Sequence, residues 1–480
     1  MASLRSASAS HALETEHESV TVSLAGRPRS DRSCVSPAAT FVISVVALIL
    51  AIIGLALGIA FLNPRSDIVI TRSPVPPAGY KKLGALHAGD GEWVRKPGMP
   101  LLASDMQAVT IADTILVMGG FGLRTSAGAS KVEGPLNATL AFDSVYERFN
   151  DEAVPDLPNT LFRFGAAAVV SPRNPDALAT PASAAHRIDT VVVVAGGVTV
   201  TGGQATDAVW ILKASTDPSN PSADTVTEAL SSSSWISGPP LPLATSDLAL
   251  AAVDGGVLAI GGLDANYNPL AWNWFLAVDP VSRAVGTAWE PRQAMPTARG
   301  DIAAVADAAG GHVMVLGGWG GADLAFQAAV ESFDVARNTW QSLAPLPYAR
   351  GDKAAALSLG HVVTVGGEVT SGLSAPCDFD PSQTCAVNEV PVHDTEALLF
   401  DFDASATRLH SVEQATWEPK APHPSARFRF AAAAVNGVIY TFGGHGEGSD
   451  ALATALVTDE VWALFDVNSV DLWAHTSISG

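Results

Sequence analysis

The sequence has few basic residues and few cysteines for its length. Of its 480 residues only 27 are Lys or Arg, against 48 Asp or Glu, so the formal net charge is −21. This balance excludes the dominant basic surface that a nucleic-acid-binding protein needs. With 3 Cys, the chain can build neither a disulfide scaffold nor a four-thiolate zinc site. Charged residues make up 16% and apolar residues 48%, which excludes a largely disordered chain.

One long apolar segment lies near the N-terminus. Residues 41–62 contain no charged side chain, and a helix of that length, at ~1.5 Å per residue, spans the ~30 Å hydrocarbon core of a bilayer. The apolar part of a cleaved signal peptide is shorter, ~7–15 residues, and lies closer to the start. We therefore predict a single transmembrane helix over 39–63, after a disordered tail over 1–38 and before a proline-containing stalk over 64–90.

The orientation of this helix follows from weaker features, because basic residues flank it almost evenly. Asn137-Ala138-Thr139 is a glycosylation sequon. Cys377 and Cys385 are spaced for a disulfide that closes a loop rather than for a redox or zinc pair. We predict a cytoplasmic N-terminus and an extracellular or lumenal C-terminal domain, with a cytoplasmic domain as the alternative.

The rest of the chain repeats a Gly-Gly pair at the end of an apolar, β-branched run. The intervals average about 65 residues and the shortest is 49, close to the ~50 of one class of propeller repeat. The six pairs are at 119–120, 196–197, 261–262, 317–318, 366–367 and 443–444.

A second register runs through the same units. In each unit a Pro stands five residues before a charged residue, and in five of the six a Trp stands seven residues before that Pro. The tryptophans are Trp93, Trp235, Trp289, Trp340 and Trp417. Six coincident registers of this kind do not arise by chance.

Each unit is interpreted as four short strands. The first strand is rich in Ala and Val and follows the charged residue. The second strand is the apolar run that ends in Gly-Gly. A third strand comes next along the chain, and the fourth begins at the Trp. Such a sheet has to pack against others to bury both faces. We predict an all-β, six-bladed propeller over 91–470, followed by a tail over 471–480. An N-terminal strand with Trp93 closes the last blade in this interpretation, and Trp473 is the competing candidate.

The Gly-Gly, Trp and Pro registers resemble the kelch-repeat family of β-propellers over roughly residues 90–470. The resemblance implies the fold closely and the function loosely, because kelch propellers include ubiquitin-ligase adaptors, actin-binding proteins, sialic acid mutarotases and copper-radical oxidases.

One charged residue per unit is expected beside the propeller axis, on the face that also carries the second-to-third loops. These six residues are Asp105, Arg163, Asp247, Asp301, Asp352 and Arg429. Asp247, Asp301 and Asp352, named here the acidic arc, suit an amine, a basic peptide or a hard cation. The structural alternative is that these side chains cap repeated turns. In kelch adaptors that bind acidic peptides the resemblance implies Arg at this position, which only Arg163 and Arg429 match.

The residue after each Gly-Gly pair is expected at the rim of the same mouth. Trp319, Glu368 and His445 are the candidates with binding chemistry at this position. Arg299-Gly300-Asp301 and Arg350-Gly351-Asp352 occur at a repeated strand junction. We interpret these tripeptides as part of the repeat and not as adhesion motifs.

The sequence gives less support to an enzymatic function than to a binding function. A copper-radical oxidase needs a Tyr crosslinked to a Cys, and none of the five Tyr stands beside a Cys. A sialic acid mutarotase needs an Arg and a Glu or His near the axis, which Arg163, Arg429, Glu368 and His445 could supply. We predict no catalytic residues, no metal and no cofactor. The expected function is a membrane-anchored module that binds a protein, peptide or carbohydrate at the charged face, with an extracytoplasmic carbohydrate-active enzyme as the alternative.

Overall fold

The computed structural model describes most of the chain between residues 91 and 465. The described ranges are 91–124, 132–150, 154–171, 189–200, 203–215, 229–358, 360–370, 373–376, 384–387, 390–392, 394–399, 417–446 and 457–465. Contacts divide the chain into two units, Leu86–Ser469 and a second made of Met1–Ala85 with Val470–Gly480. The strands described in the second unit form two pairs, Val22–Leu24 with Ser66–Ile68 and Tyr80–Lys82 with Trp473–His475.

Several predicted features lie outside the described residues. They include the apolar segment 41–62 and Cys377, and only the backbone of Cys385 is described. In the part of the chain that is described, no helix is long and apolar enough to cross a membrane. The transmembrane helix and the disulfide therefore stay predictions.

The unit Leu86–Ser469 contains six antiparallel sheets, five of four strands and one of five, numbered here along the chain and written from the inner to the outer strand. Sheet 1 consists of Gln107–Ile111, Thr114–Met118, Thr139–Asp143 and Arg148–Asn150. Sheet 2 consists of Gly165–Val170, Asp189–Ala195, Val209–Ser215 and Trp235–Ser237. Sheet 3 consists of Ala249–Val253, Gly256–Ile260 and Asn273–Asp279, with Ala284–Val285 and Glu290–Pro291 both pairing with the third strand.

The second half repeats this arrangement. Sheet 4 consists of Ala303–Ala306, His312–Leu316, Val330–Asp334 and Thr339–Ser342. Sheet 5 consists of Ala354–Ser358, His361–Val365, Thr395–Leu399 and Glu418–Pro419. Sheet 6 consists of Ala431–Val435, Val438–Phe442, Val461–Phe465 and Glu92–Lys96. Among the described residues only 229–231 are helical, so the predicted all-β fold is confirmed.

The strand Glu92–Lys96 comes from the start of the chain but lies in the last sheet. It pairs with Val461–Phe465 along five residues. The competing residue Trp473 lies in a strand that pairs with Tyr80–Lys82. Each inner strand contacts the inner strands of the sheets before and after it, and sheet 6 contacts sheet 1.

Short two- and three-stranded ribbons extend the sheets on the side where the inner strands begin. Their strands are Leu102–Ser104, Phe121–Arg124 and Val132–Pro135; Arg299–Gly300, Trp319–Gly320 and Ala325–Phe326; Glu368–Val369 with Val390–Pro391; Leu373–Pro376 with Thr384–Val387; and Arg427–Phe428 with His445–Gly446.

The hydrophobic core is divided among the six interfaces between neighbouring sheets. In the interface of sheets 1 and 2, for example, Leu116 packs with Val192, and in that of sheets 6 and 1 Phe442 packs with Phe142. The other four clusters each join two successive sheets in the same way. Each sheet thus buries both faces only because it has a neighbour on both sides.

Both glycines of each Gly-Gly pair have positive φ, between 48° and 69° at the first position and between 92° and 104° at the second. In sheet 4, a Cβ at Gly317 would lie 2.6 Å from the Arg350 carbonyl oxygen of the next unit. The N–H of Gly318 donates to that same oxygen at 2.9 Å. The repeated pair therefore satisfies two requirements of glycine together, the left-handed backbone and the close approach of a neighbouring chain.

The repeated tryptophans connect neighbouring sheets. Every one of the five donates its indole N–H to a backbone carbonyl in the preceding unit, at 2.8 to 3.1 Å. The acceptors for Trp93, Trp235, Trp289, Trp340 and Trp417 are the carbonyls of Ala421, Pro155, Pro239, Gln293 and Ala344. This regular contact explains the Trp register.

Replacing Trp235 by Phe is expected to destabilise the fold by about 1 kcal/mol, because the carbonyl of Pro155 loses its 2.9 Å donor while the apolar area is mostly kept. Trp210→Phe is the matched control, since Trp210 is also partly buried and packs on the same core cluster. Urea unfolding monitored by circular dichroism measures both. Equal losses in the two variants would show that the indole hydrogen bond contributes nothing.

Candidate ligand-binding site

The six predicted charged residues form a closed ring. Each stands two residues before an inner strand, and each has a positive φ, between 47° and 55°. The ring is also continuous in its backbone, because the N–H of every member donates to the carbonyl of the preceding member at 2.8 to 3.2 Å. In order, the members are Asp105, Arg163, Asp247, Asp301, Asp352 and Arg429, and the N–H of Asp105 donates to the carbonyl of Arg429.

The side chains pair according to their order in the ring. Arg163 lies between two carboxylates, with Nε 3.3 Å from Asp105 Oδ1 and 3.8 Å from Asp247 Oδ1. Arg429 does the same, with Nε 2.8 Å from Asp352 Oδ2 and 3.8 Å from Asp105 Oδ1. Asp301 is flanked in the ring by two other carboxylates. Arg429, Asp105 and Arg163 therefore alternate in sign around the ring, as expected from the sequence. The three aspartates of the acidic arc also follow one another, as expected.

Asp105 is the most strongly stabilised anion of the ring. Burial raises its pKa, but the hydrogen bond with His445 and the charges of Arg429 and Arg163 outweigh this effect. The Ser104 hydroxyl also donates to its Oδ2 at 2.6 Å. The pKa of Asp105 therefore lies well below its ordinary value, and the side chain stays ionised.

Asp301 and Asp247, two members of the acidic arc, behave in the opposite way. Burial, together with the charges of Asp352 and Asp247, raises the pKa of Asp301 well above its ordinary value. Burial also raises the pKa of Asp247, against the charge of Arg163. This pair therefore holds a proton under conditions in which an ordinary aspartate has lost it.

Three cavities follow one another along the axis. The ring residues enclose the ring chamber, a cavity of about 70 Å³ that also touches the residues just below them. The inner strands line a channel of about 370 Å³, in which alanine predominates, as expected for a crowded axis. The mouth pocket, of about 310 Å³, lies on the other side of the ring.

The mouth pocket stands over the basic half of the ring. Its lining residues are Asp105, Phe121, Phe162, Arg163, Val198, Gly203, Ser246, Tyr267, Arg429 and His445. Among these described lining residues there is no member of the acidic arc. The arc lines the ring chamber instead, so the predicted arc and the open pocket are different parts of the same face.

The residues after the Gly-Gly pairs lie at the mouth for a simple reason. Each pairs with the residue immediately before a ring member: Phe121 with Ser104, Val198 with Phe162, Leu263 with Ser246, Trp319 with Gly300, Glu368 with Gly351 and His445 with Phe428. This pairing places the two kinds of loop on one face.

The three rim candidates have different roles. His445 lines the mouth pocket, stacks on Phe428 at 5.3 Å, and has Nε2 3.7 Å from Asp105 Oδ2. Glu368 is buried, with Oε1 3.9 Å from Nη2 of Arg429. Trp319 lies in the ribbon beside Arg299–Gly300 and is not among the described residues that line the mouth pocket.

The sequon and the two tripeptides have structural environments. Asn137 is half-buried and its Nδ2 donates to the carbonyl of Leu157 at 3.3 Å, so the structure lends no support to glycosylation there. Arg299 and Arg350 are fully buried and form ion pairs with Glu331 and Glu396 on the third strands of their own sheets. Their burial agrees with the interpretation of the tripeptides as part of the repeat.

Sequence reasoning missed Lys353, which follows a ring member. The five equivalent positions hold apolar residues: Met106, Phe164, Leu248, Ile302 and Phe430. A lysine in this otherwise apolar register is the signal that would have identified it. Lys353 is 5% exposed, and among the described residues its Nζ has no hydrogen-bond partner.

The carboxylates of the ring do not make a metal site. In the described part of the chain no group of three His, Cys, Asp or Glu side chains is arranged to hold a metal ion. A hard cation at the acidic arc, one of three ligand classes considered from the sequence, therefore has no support in the geometry.

Comparison with known proteins assigns the repeat. Residues 303–347, which contain all four strands of sheet 4, match the family model of the Kelch motif. Sheet 4 is a kelch repeat. The resemblance of the chain to the kelch-repeat family is thereby confirmed, and the motif contains both Gly317-Gly318 and Trp340.

The remaining comparisons add little on function. No curated protein matches the chain. Among solved structures, the structure of YjhT aligns with a TM-score of 0.49 and 14% sequence identity, over 76% of this chain and 95% of that one. A likeness at this level leaves the function of the chain open.

Proposed function

We propose that the chain is a six-bladed kelch propeller that works as a ligand-binding module, and that the mouth pocket is its binding site. Six sheets of four or five strands and the pairing of Glu92–Lys96 with Val461–Phe465 support the blade count and the N-terminal closure. Several aromatic side chains and two partly exposed arginines, Arg163 and Arg429, surround the pocket. Sites that combine apolar walls with a few polar groups are typical for small molecules and peptide ends.

The observation that carries this proposal is the state of Arg163. Its recorded contacts with Asp105 and Asp247 are both made by Nε. Among the described residues, Nη1 and Nη2 have no recorded partner, and the side chain remains 26% exposed at the pocket. Burial lowers the pKa of Arg163, but the charge of Asp247 outweighs it and raises the pKa above its ordinary value. The guanidinium therefore offers two donors to a carboxylate.

The aromatic side chains define the rest of the ligand. Phe121 and Phe162 contact each other edge to face, with centroids 5.6 Å apart. Tyr267 is 59% exposed beside them. Exposed rings next to a guanidinium suit an apolar or sugar ring that carries an acidic group. The proposed ligand is a carboxylate with a flat ring, present as a small molecule or at the end of a peptide.

Phenylacetate is expected to bind at least about tenfold more tightly than phenylacetamide, because a charge-assisted hydrogen bond contributes about 1.5–3 kcal/mol. Ligand-observed NMR titration of the full chain measures both affinities. Arg163→Gln should abolish the preference. Arg283→Gln should keep it, because Arg283 pairs with Asp189 at 3.8 Å and is not among the described residues that line the mouth pocket.

A second variant separates the aromatic contribution. Tyr267→Ala should weaken both probes equally and leave the preference intact. Equal binding of the two probes, no binding of either, or a preference that survives in Arg163→Gln would each contradict the proposal. A melting curve of each variant shows whether it is folded.

Carbohydrate chemistry of the sialic acid mutarotase kind is the second candidate. The proximity of Glu368 to Arg429 and of His445 to Asp105 supports it, because these contacts bring two carboxyl groups, an imidazole and a guanidinium close together. An NMR measurement of the interconversion of N-acetylneuraminate anomers tests it. Catalysis above the uncatalysed rate that is lost in Glu368→Gln would make the chain an enzyme; no acceleration would reject this candidate.

We also propose that residues 41–62 anchor the chain in a membrane, with the propeller extracellular or lumenal. The charge-free length of this segment supports the anchor. Extraction of cell membranes with alkaline carbonate should leave the chain in the pellet, and protease added to sealed vesicles should leave the propeller intact. Release by carbonate would reject the anchor, and digestion of the propeller would place it on the cytoplasmic side.

A further inference from the structure

Lys353 occupies a position that the other five sheets fill with apolar side chains. In those sheets the residue packs against the first glycine of a neighbouring Gly-Gly pair, as Ile302 does against Gly261. Lys353 packs in the same way, and a Cβ on Gly317 would lie 2.7 Å from its Nζ. The side chain has therefore kept the packing of the repeat while adding an amine.

The amine lies between two cavities. Lys353 lines both the ring chamber of about 70 Å³ and the channel of about 370 Å³. Its Nζ is inaccessible to solvent and has no hydrogen-bond partner among the described residues. A buried polar group without a hydrogen-bond partner lowers the stability of the fold by about 1–3 kcal/mol, and a charged group lowers it by more. A repeat that holds an apolar residue elsewhere has no structural need for this cost.

The surroundings of Lys353 favour the neutral amine. Burial lowers its pKa well below the ordinary value, and the charges of Arg350 and Arg299 lower it further. The charges of Asp352 and Asp301 oppose this effect without reversing it. A neutral amine is a nucleophile, whereas the ammonium ion of an ordinary lysine is not.

We propose that Lys353 is an imine-forming residue that captures a small neutral aldehyde in the ring chamber. Four rotatable bonds separate Cα from Nζ, so the amine can turn from Gly317 to the chamber without movement of the backbone. The chamber has room for about five water molecules, which limits the ligand to a two- or three-carbon aldehyde. With the Asp301 carboxyl protonated, the ring still has three carboxylates against two guanidiniums, so an anionic aldehyde is disfavoured.

The chemistry balances with the groups that line the chamber. The Nζ lone pair attacks the carbonyl carbon, a C–N bond forms as the C=O π bond opens, and a proton moves from nitrogen to oxygen to give a carbinolamine. The hydroxyl then leaves as water with a proton supplied by Asp301. The nitrogen lone pair forms the C=N bond, and the remaining N–H proton returns to the Asp301 carboxylate. Asp301 is suited to this exchange because it lines the same chamber as Lys353 and its raised pKa favours the protonated carboxyl.

Reductive trapping tests the proposal. The full chain is incubated at pH 7 with glycolaldehyde and cyanoborohydride, which reduces an imine to a stable amine, and the modified lysines are located by peptide mass spectrometry. Lys353 is expected to be modified at least about tenfold faster than Lys213, a partly exposed lysine in the same digest, because only about one ordinary lysine in 2,500 is neutral at this pH.

Three controls test whether modification occurs at Lys353, whether it needs Asp301 and whether it depends on the charge of the aldehyde. Lys353→Met should lose the adduct and remain folded, because Met106 occupies the equivalent position in sheet 1. Asp301→Asn should slow modification of Lys353 and leave that of Lys213 unchanged. Glyoxylate, an anionic aldehyde, should modify Lys353 more slowly than glycolaldehyde does. Modification of Lys353 no faster than that of Lys213 would overturn the proposal, since a merely buried lysine reacts last.

Discussion

Replacing Arg299 by Met is expected to destabilise the propeller by about 3–5 kcal/mol. The side chain of Arg299 is completely buried, and its Nη1 lies 2.6 Å from Oε2 of Glu331. Nη1 and Nη2 also donate to the carbonyls of Thr297 and Val315. Methionine has the volume to fill the space but leaves the Glu331 carboxylate buried without its cation. Chemical unfolding of the variant measures the loss.

The same sheet supplies a matched control. Nη1 of Arg337 lies 2.6 Å from Oδ2 of Asp334, the distance found in the buried pair, but Arg337 is 51% exposed. Arg337→Met should therefore cost at most about 1 kcal/mol. The double variant Arg299→Met/Glu331→Leu should recover most of the loss, because it removes both charges together. A large loss in the Arg337 variant, or no recovery in the double variant, would show that burial is not the cause.

The sequence predicts the residues that recur in nearly every unit of the repeat. It misses the contacts that only some of the units share. Gly317-Gly318 and Trp340 belong to registers found in five or six units, and the structure assigns each a contact between neighbouring sheets. Because each contact needs the same neighbour geometry, the residue types repeat with the sheets. Spacing alone is sufficient to find such positions.

The buried Arg–Glu pairs show the limit of this reasoning. Arg299, Arg350 and Arg427 share a register with one another but not with the other three units. Their partners lie on the third strands or just before them, 32 to 46 residues away in the first two cases. Loop lengths differ between units, so the distance along the chain gives no constant spacing to detect.

The mouth pocket was predicted only in outline. The sequence places the charged residues on one face and in the correct order of sign. It does not reveal that Arg163 pairs with Asp105 and Asp247 through Nε and leaves Nη1 and Nη2 without a recorded partner among the described residues, because this depends on side-chain rotation. Tyr267 was also missed, since it lies on an irregular turn with a positive φ of 61° and follows no register.

Replacing Asp301 by Asn is expected to stabilise the propeller at pH 7. Burial and the charges of Asp352 and Asp247 raise the pKa of Asp301 well above its value in the unfolded chain. The folded state therefore holds a proton that the unfolded state has released, and folding at neutral pH has to take up this proton. Asparagine removes the titration and keeps a neutral side chain of similar size that can still hydrogen-bond.

The pH dependence follows from the sign of this shift. Below about pH 4, the ordinary value for Asp, the carboxyl is protonated in both states and contributes no difference. Above it the unfolded state loses its proton first, so the wild-type chain loses about 1.4 kcal/mol per pH unit until the folded carboxyl also ionises at its raised pKa. The advantage of Asp301→Asn should therefore be absent near pH 4 and grow as the pH rises.

Asp105→Asn is the matched variant within the same ring, and its effect should have the opposite sign. Burial raises the pKa of Asp105, but His445, Arg429 and Arg163 lower it by more. The ionised Asp105 thus stabilises the fold above about pH 4, and this contribution is lost as the pH falls through the depressed folded pKa. Unfolding in urea at pH 4, 5, 6 and 7 measures all three chains. Two results would contradict this prediction: a lower stability of Asp301→Asn at pH 7, or unfolding free energies of the two variants that change with pH in parallel. Either would mean that the acidic arc carries no shared proton and that its carboxylates are held by the backbone ring alone.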